Sequence, residues 1–191
     1  VILVDDHSTD HEGSSWRNSF PRPGHFALLQ SIGEGKKQAL TQGIAMAKGA
    51  LIATTDADCW LPPDWLQHIN QGFGDENILM QIGGVSIQPD RGLFSKLQAL
   101  EFSSLIGTAA ATCGLGFPTL CNGANLSFRK EIFSRVNGYE GNMHVASGDD
   151  EFLMRKIYSA FGSKSIRFLP APGSVVQTHA QESMQVFFQQ R

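Results

Sequence analysis

Two pairs of acidic residues directly follow strand-like segments of this sequence. Asp5 and Asp6 come after the apolar run VILV, and Asp56 and Asp58 come after ALIATT. Because neighbouring carboxylates repel each other, such pairs are typical of sites that hold a cation or a hydrogen-bonding ligand. Aspartate is also an ordinary turn residue. The occurrence of two pairs at corresponding strand ends favours a binding site over turn chemistry.

The chemistry open to these carboxylates follows from their oxygen atoms. In an extended backbone, residues two apart point the same way, so Asp56 and Asp58 would face one small volume. Carboxylates can hold Mg²⁺ or Mn²⁺, ribose hydroxyls or a base N–H, and Mg²⁺ commonly uses one or two carboxylates plus substrate phosphates. Ligands of open α/β sheets bind beyond the carboxyl ends of the strands. The sequence therefore predicts a metal or nucleotide site there.

A third acidic cluster lies in the segment SGDDEFLMRKI, which contains Asp149, Asp150 and Glu151. Acids in the first turn of a helix satisfy free N–H groups and interact well with the helix dipole. A carboxylate held at a helix start is also suited to act as a general base, because its direction is fixed. By itself the segment favours a helix-capping role for these acids. Their interpretation as a general base depends on the other two acidic clusters.

The segment GEGKK resembles a phosphate-binding loop only superficially. A Walker A motif needs Gly at position 30 and Ser or Thr at position 37, where this chain has Gln30 and Lys37. A dinucleotide fingerprint would need Gly or Ala near position 38, which is Gln38. Lys36 and Lys37 could approach a phosphate at a helix start, although a solvated helix face is the more ordinary role for them.

The composition suits one soluble domain of 191 residues, with 41% hydrophobic residues, 17% charged residues and a net charge of −3. This balance argues against a nucleic-acid binder, which normally carries a basic patch. No apolar run reaches the roughly 18 residues of a membrane-spanning helix. The three cysteines lack C-x-x-C spacing and the six histidines are scattered, so neither a disulfide framework nor a zinc site is predicted. A reducing compartment is the more natural setting.

Short apolar runs alternate with helical patterns, which predicts an α/β sandwich with a mostly parallel central sheet. The predicted strands cover residues 1–4, 26–30, 50–55, 78–88 with a glycine kink, 119–128 around a tight Asn-Gly-Ala-Asn turn, 165–170 and 174–179. The predicted helices cover residues 35–48, 62–73, 94–111, 129–136, 149–161 and 182 onward, and a loop is predicted for 11–25.

Four stretches of the sequence resemble family 2 glycosyltransferases, which are inverting enzymes of the GT-A fold that use nucleotide-diphosphate sugars. The stretches occur in the family's order: VILVDDHSTD, GKKQALTQGIAMAKGALIATTDADC, NGANLSFRKEIFSRVNGYE and GDDEFLMRKI. The resemblance implies a three-layer α/β/α sandwich, one catalytic domain over residues 1–191 and a Mg²⁺ or Mn²⁺ cofactor. It also implies a sugar-nucleotide donor, UDP-linked as is usual in this family, and a carbohydrate or lipid acceptor.

The resemblance assigns a donor site to the first two acidic clusters. Asp5, with Asp6 beside it, is similar to the acid that recognises the nucleotide base. The segment DAD is similar to the family's D-x-D motif, which implies that Asp58 lies nearest the metal and Asp56 toward the ribose and phosphates. Lys36 would approach the phosphates from its helix start.

The third cluster is similar to the family's acidic ED motif. Asp150 matches the general base, and Asp149 replaces the Glu usually found before it. The segment NGAN lies where the family lines the acceptor side of the pocket. Gly123 and Asn125, together with Asp149, are therefore weaker candidates for contact with the acceptor.

The resemblance further implies that the family's first strand would precede Val1. Gln190 would begin a Q-x-x-R-W motif that continues beyond Arg191. Transmembrane helices often follow that motif, so the resemblance implies a membrane-associated full-length protein, active on the cytoplasmic side in polysaccharide or glycolipid biosynthesis.

Two alternatives remain open from the sequence. A nucleotidyltransferase that makes sugar nucleotides would have a similar α/β fold, but normally opens with a Gly-rich phosphate loop. A non-catalytic module that binds sugar nucleotides would not need a positioned base such as Asp150.

Overall fold

The computed structural model describes residues 1–8, 25–90, 92–145 and 147–189. Short strands alternate with helices along these residues. The strands are β1 (Ile2–Asp5), β2 (Ala27–Gln30), β3 (Leu51–Thr54), β4 (Met80–Gly83), β5 (Val85–Gln88), β6 (Leu126–Arg129), β7 (Ile166–Leu169) and β8 (Val176–His179). The helices are α1 (Lys36–Met46), α2 (Trp65–Gly72), α3 (Leu93–Gly114), α4 (Lys130–Arg135), α5 (Asp149–Phe161) and α6 (Met184–Gln189).

The strands form a four-stranded sheet, in the order β3-β6-β4-β7, and two separate parallel pairs. β4 runs parallel to β7, whereas β6 runs antiparallel to both β3 and β4. The parallel pairs are β1 with β2 and β5 with β8. The predicted mostly parallel sheet is therefore confirmed, and β6 is the reversed strand within it.

Helices cover both faces of the four-stranded sheet. On β4, Met80 and Ile82 face one core cluster, which also contains Ile44 of α1 and Leu153 of α5. Gln81 points to the opposite face, because successive strand residues alternate, and its amide donates to the Ile69 carbonyl of α2 at 3.0 Å. A second core cluster occupies that face. The sheet thus lies between two helical layers.

The predicted elements agree with the structure except around β6. The glycine kink in residues 78–88 separates β4 from β5. The predicted Asn-Gly-Ala-Asn turn is present, and Gly123–Asn125 form a 3₁₀ turn, because the Asn122 side chain accepts the Ala124 N–H at 2.9 Å. The strand predicted before this turn is wrong, since residues 119–122 form no strand and β6 begins at Leu126. The loop predicted for residues 11–25 lies outside the described residues apart from His25.

α3 has 22 residues and extends three residues beyond the predicted C-terminal end. Within the described ranges, no helix is both long and apolar enough to cross a membrane.

Asn125 connects the turn before β6 to three other parts of the fold. Its side chain is only 2% exposed. The amide group donates to the carbonyls of Gly84 and Ser174 at 2.7 and 2.8 Å, and its oxygen accepts the Trp65 indole N–H at 3.0 Å. This network fixes the turn against the β4–β5 kink, the start of α2 and the segment before β8.

The close approach of Gly83 to Asn125 leads to a stability prediction. A Cβ atom on Gly83 would lie 2.2 Å from Cγ of Asn125, so Gly83→Ala must displace the network. We expect the free energy of unfolding to fall by about 1–3 kcal/mol or more, as in other overpacked cores. Urea denaturation followed by circular dichroism measures the change.

Gly107→Ala is the matched control, because a Cβ at this α3 position meets no atom within 4 Å in the described structure. Replacing a helical glycine by alanine stabilises by roughly 0.5–1 kcal/mol. An equal effect of the two substitutions would contradict the role given to Gly83.

Candidate active site

The reversed direction of β6 brings the NGAN turn to the acidic rim. Since β6 is antiparallel to β3, the start of β6 lies opposite the end of β3, with Thr54 paired to Leu126. The Thr54 hydroxyl donates to the Gly123 carbonyl at 2.7 Å. Asp56 follows Thr54 by two residues, so Gly123 and the D-x-D segment belong to one edge of the sheet.

Asp150 reaches this edge from the first turn of α5. Its Oδ2 accepts the Gly123 N–H at 2.8 Å, and its Oδ1 accepts the Glu151 N–H at 2.8 Å. Burial raises the pKa of Asp150, and the neighbouring charge of Asp149 adds to the rise, whereas the two N–H groups and the Lys36 charge oppose it. The result is a directed carboxylate that is a stronger base than an exposed aspartate.

Lys36 links this carboxylate to the D-x-D segment. Its Nζ lies 2.8 Å from Oδ1 of Asp56. A Cβ built on Gly123 would lie 3.5 Å from Nζ of Lys36, 3.8 Å from Oδ2 of Asp150 and 3.9 Å from Oδ2 of Asp149. The Lys36 ammonium and the carboxylates of Asp149 and Asp150 therefore lie close to Gly123, and Asp56 joins them through its pair with Lys36.

The pKa of Lys36 reflects this surrounding charge. Burial by itself would lower the pKa, but the contact with Asp56 and the charges of Asp149 and Asp150 outweigh it, so the pKa of Lys36 is raised. Lys36 is consequently charged at neutral pH and offsets the repulsion among the carboxylates.

Asp6 joins the same region through the residue that precedes Lys36. Both of its carboxylate oxygens accept the Gly35 N–H, at 2.9 and 3.1 Å. Gly35 has φ 94°, a conformation that favours glycine. Asp5 ends β1, and its Oδ1 accepts the Ser8 N–H at 2.9 Å. Hydrogen bonds from Ser8 lower the pKa of Asp5.

Asp56 and Asp58 are the candidate metal ligands. Asp58 is exposed, and the Cys59 thiol lies 3.6 Å from its Oδ1. Within the described residues, no group of three or more His, Cys, Asp or Glu side chains could hold a metal ion by itself. Two carboxylates nevertheless fit Mg²⁺ or Mn²⁺ when substrate phosphates and water complete the coordination. The donor set thus fits a metal that binds together with a diphosphate.

Lys37 has a different environment from the one its sequence context suggests. It is only 5% exposed, and Nζ donates to the carbonyls of Val145 and Ser147, the latter at 3.2 Å. The interpretation of Lys37 as a surface or phosphate-facing lysine was therefore wrong. Its spacing of seven residues from the buried Ile44 places it on the inner face of α1 and was the available signal.

The three acceptor-side candidates, Gly123, Asn125 and Asp149, have different environments. Gly123 lies among Lys36, Asp149 and Asp150, whereas the polar atoms of Asn125 are engaged in the buried network. Asp149 is 7% exposed. Contact of these residues with an acceptor stays a prediction, and Gln190 lies outside the described residues.

An open recess of about 920 Å³ lies elsewhere, near the amino ends of β4 and β7. Its lining includes Asp75, Lys164 and Arg167. None of the predicted site residues lines it, so the chemistry of the acidic clusters belongs to the carboxyl-end edge of β3.

Lys36 and Lys37 lead to stability predictions of different size. Lys37→Met removes charge-assisted hydrogen bonds that hold the segment before α5, and we expect a loss of about 1–3 kcal/mol in the free energy of unfolding. Lys36→Met is the control, because the half-exposed pair with Asp56 contributes below about 1 kcal/mol. Chemical denaturation of both variants checks this, and a larger loss in Lys36→Met would contradict it.

Solved structures resemble this chain along almost its whole length. A mannosyltransferase from Pyrobaculum calidifontis, in complex with GDP-Man and Mn²⁺, matches with a TM-score of 0.71 and 21% identity, over 98% of this chain and 50% of that protein. Glucosyl-3-phosphoglycerate synthase from Mycobacterium tuberculosis, in complex with Mn²⁺ and UDP-glucose, matches with a TM-score of 0.60 and 15% identity. This match covers 98% of this chain and 62% of that protein. The chain therefore has the GT-A fold.

Sequence relatives include two glycosyltransferases. The glucosyl-dolichyl phosphate glucuronosyltransferase of Haloferax volcanii is 24% identical over 140 residues, which cover 69% of this chain and 44% of the relative. The undecaprenyl-phosphate 4-deoxy-4-formamido-L-arabinose transferase of Edwardsiella ictaluri is 33% identical over 79 residues, which cover 38% of this chain and 24% of the relative. The matched region spans less than half the length of either relative.

The profile of glycosyl transferase family 2 matches residues 1–136. This region carries Asp5, Asp6, Lys36 and the D-x-D segment, and it includes the NGAN turn that binds Asp150. The match covers well over half of the chain, and the chain belongs to glycosyl transferase family 2.

Proposed function

We propose that the protein is an inverting glycosyltransferase that moves a sugar from a nucleotide-diphosphate donor to an acceptor hydroxyl. The observation that carries the proposal is the position of Asp150 and Lys36 beside Gly123, with Asp56 paired to Lys36. It unites a directed base, a cation and a carboxylate of the D-x-D segment at one edge of the sheet. UDP is the proposed nucleotide. The mycobacterial structure holds UDP-glucose, which agrees with this, whereas the Pyrobaculum structure holds GDP-Man.

The donor would bind along the first two acidic clusters. Asp5 and Asp6 would recognise the base, and Lys36 would contribute positive charge to the diphosphate. Asp56 and Asp58 would hold Mg²⁺ or Mn²⁺, which when bound offsets negative charge on the leaving diphosphate. The Mn²⁺ in the two similar structures supports a divalent metal.

Asp150 would act as the general base. It takes the proton of the acceptor hydroxyl while that oxygen attacks the anomeric carbon from the face opposite the diphosphate. The bond from that carbon to the diphosphate breaks, and the nucleoside diphosphate leaves with the bonding electrons. A single displacement needs one base, unlike glycoside hydrolysis with its paired carboxylates. The hydrogen bonds from Gly123 and Glu151 fix the direction of this base.

The proposed acceptor is a carbohydrate or lipid hydroxyl, in polysaccharide or glycolipid biosynthesis. The names of the Haloferax and Edwardsiella relatives include dolichyl phosphate and undecaprenyl phosphate, which supports a lipid-linked substrate. Membrane association of the full-length protein, with the site on the cytoplasmic side, is part of this proposal.

A product assay separates this function from its two alternatives. A transferase releases nucleoside diphosphate from a sugar nucleotide when an acceptor hydroxyl or water takes the sugar, and it needs no pyrophosphate. A nucleotidyltransferase instead consumes pyrophosphate and forms nucleoside triphosphate, and a binding module does neither. Chromatography of the nucleotides after incubation with UDP- and GDP-sugars, with and without pyrophosphate, distinguishes these outcomes.

Removal of the proposed base gives the first functional prediction. Asp150→Asn keeps the shape of the side chain but cannot take the acceptor proton, so we expect kcat to fall on the order of 10²- to 10⁴-fold. The affinity for nucleoside diphosphate should stay within about twofold, as measured by calorimetry. Glu151→Gln is the control, because Glu151 points to Arg155 on the same helix. Retained turnover in Asp150→Asn would remove Asp150 from this role.

The pH dependence gives a second functional prediction. Asp150 must be ionised to act, so kcat falls as pH drops through the pKa of Asp150. Burial raises this pKa, so the fall begins at a higher pH than for an exposed aspartate. The Lys36 charge opposes the rise, so Lys36→Met should move the acid limb to higher pH.

Lys36→Arg, which retains the charge, is the control for this shift. The measurement is kcat against pH at saturating donor. An acid limb that stays in place in Lys36→Met would contradict the electrostatic coupling between Lys36 and Asp150.

A further inference from the structure

Trp60 lies two residues after Asp58 and is held firmly by its backbone. Its N–H donates to the Gln177 carbonyl at 2.8 Å, and the Gln177 N–H donates to the Trp60 carbonyl at 3.0 Å. These bonds fix Trp60 against β8. They use only the backbone, so any non-proline residue could make them, and they do not account for an indole at this position.

The Trp60 residue is 51% exposed, and Leu61 beside it is also exposed. Single exposed apolar residues are common on protein surfaces, so exposure by itself does not indicate a binding site. The position of Trp60 is the stronger indication. Two residues of chain span at most about 7 Å, so the Trp60 backbone lies within about that distance of the Asp58 backbone. An apolar aromatic surface of fixed backbone position therefore borders the D-x-D segment.

A polar side chain accompanies this aromatic surface. His179 ends β8, and its ring centroid lies 4.2 Å from that of Trp60, with the ring planes at 88°. The parallel pairing of β5 with β8 sets Gln88 opposite His179, and both residues are exposed. An indole, an imidazole and an amide thus lie together at the carboxyl ends of two strands.

This combination matches the chemistry of a pyranose ring. The C–H groups on one face of a pyranose are apolar and weakly positive, so they pack on the negative face of an aromatic ring. The hydroxyls at the ring edge need donors and acceptors, which imidazole and amide groups supply. Phosphate is a poorer match, because Asp56 and Asp58, which precede Trp60 in the chain, are both acidic.

We propose that Trp60, His179 and Gln88 form a pyranose-binding subsite beside the D-x-D segment. The inference rests on the proposed function, in which two sugars meet at this edge. The pyranose can come from the donor sugar or from a saccharide acceptor. The chemistry is shared, and the two sources are separated by experiment.

The experiment compares the wild-type protein with Trp60→Ala, Trp60→Phe and His179→Ala in the presence of Mn²⁺. Leu66→Ala is the control, since Leu66 is 62% exposed on α2 and belongs to no proposed site. To test the donor sugar, calorimetry measures the binding of UDP, GDP, UDP-glucose and GDP-mannose. To test the acceptor, saturation-transfer NMR measures the binding of cellobiose, maltose, mannobiose and diacetylchitobiose. Circular dichroism checks the fold of each variant.

We expect Trp60→Ala to lower the affinity for at least one pyranose-containing probe roughly three- to tenfold, which is the range expected for the loss of an aromatic contact. UDP and GDP should bind as in the wild type, and Trp60→Phe should retain most of the affinity. A loss confined to sugar nucleotides identifies the donor sugar, and a loss confined to disaccharides identifies an acceptor. Equal binding of every pyranose probe by wild type and Trp60→Ala, or no binding of any by the wild type, overturns the subsite.

The failure of this inference differs from the failure of the proposed function. Binding of UDP or GDP with unchanged saccharide affinities leaves the function standing without the subsite. If disaccharides bind in a way that depends on Trp60 but no nucleotide binds, the saccharide subsite stands and the transferase proposal fails.

Discussion

The concentration of negative charge at one edge of the sheet is the constraint that governs the rest of the site. Asp149, Asp150 and the Lys36 ammonium lie beside Gly123, Asp56 pairs with that ammonium, and the like charges of the three carboxylates repel one another. The Lys36 ammonium supplies one positive charge, and the N–H groups of Gly123 and Glu151 supply directed dipoles. The pKa of Asp150 nevertheless stays raised, chiefly because the carboxyl group is buried and also because of the charge of Asp149. The raised pKa makes the carboxylate a stronger base.

The fold keeps these groups together through a few contacts away from the carboxylates. The antiparallel direction of β6 sets the NGAN turn beside the end of β3, and the Asn125 network fixes the turn from behind. Lys37 ties α1 to the segment before α5, so that helices carrying Lys36 and Asp150 keep their separation. Asn125 and Lys37 are both buried. Substitutions there would alter the site through position instead of chemistry.

Much of this arrangement could be predicted from the sequence because it depends on local patterns. Apolar runs followed by acids gave β1 and β3 with their carboxylates at the carboxyl ends, and the glycine pair gave the β4–β5 kink. The direction of β6 could not be predicted, since a four-residue strand has the same pattern in either direction. The same limit applies to Asn125 and Lys37. Both are polar residues whose burial depends on partners distant in sequence, namely Gly84 and Ser174 for one and Val145 for the other.

Membership of glycosyl transferase family 2 and the GT-A fold set the class of chemistry, while the proposed donor site depends on the D-x-D segment and its neighbours. The most direct test is calorimetric titration of the folded protein with UDP, GDP, ADP and CMP, each with Mn²⁺ and with chelator. The account predicts that one nucleoside diphosphate binds with Mn²⁺, that chelator abolishes the binding, and that Asp58→Asn weakens it. Absence of binding by the folded protein, or binding that is indifferent to Mn²⁺ and to Asp58, would contradict the account.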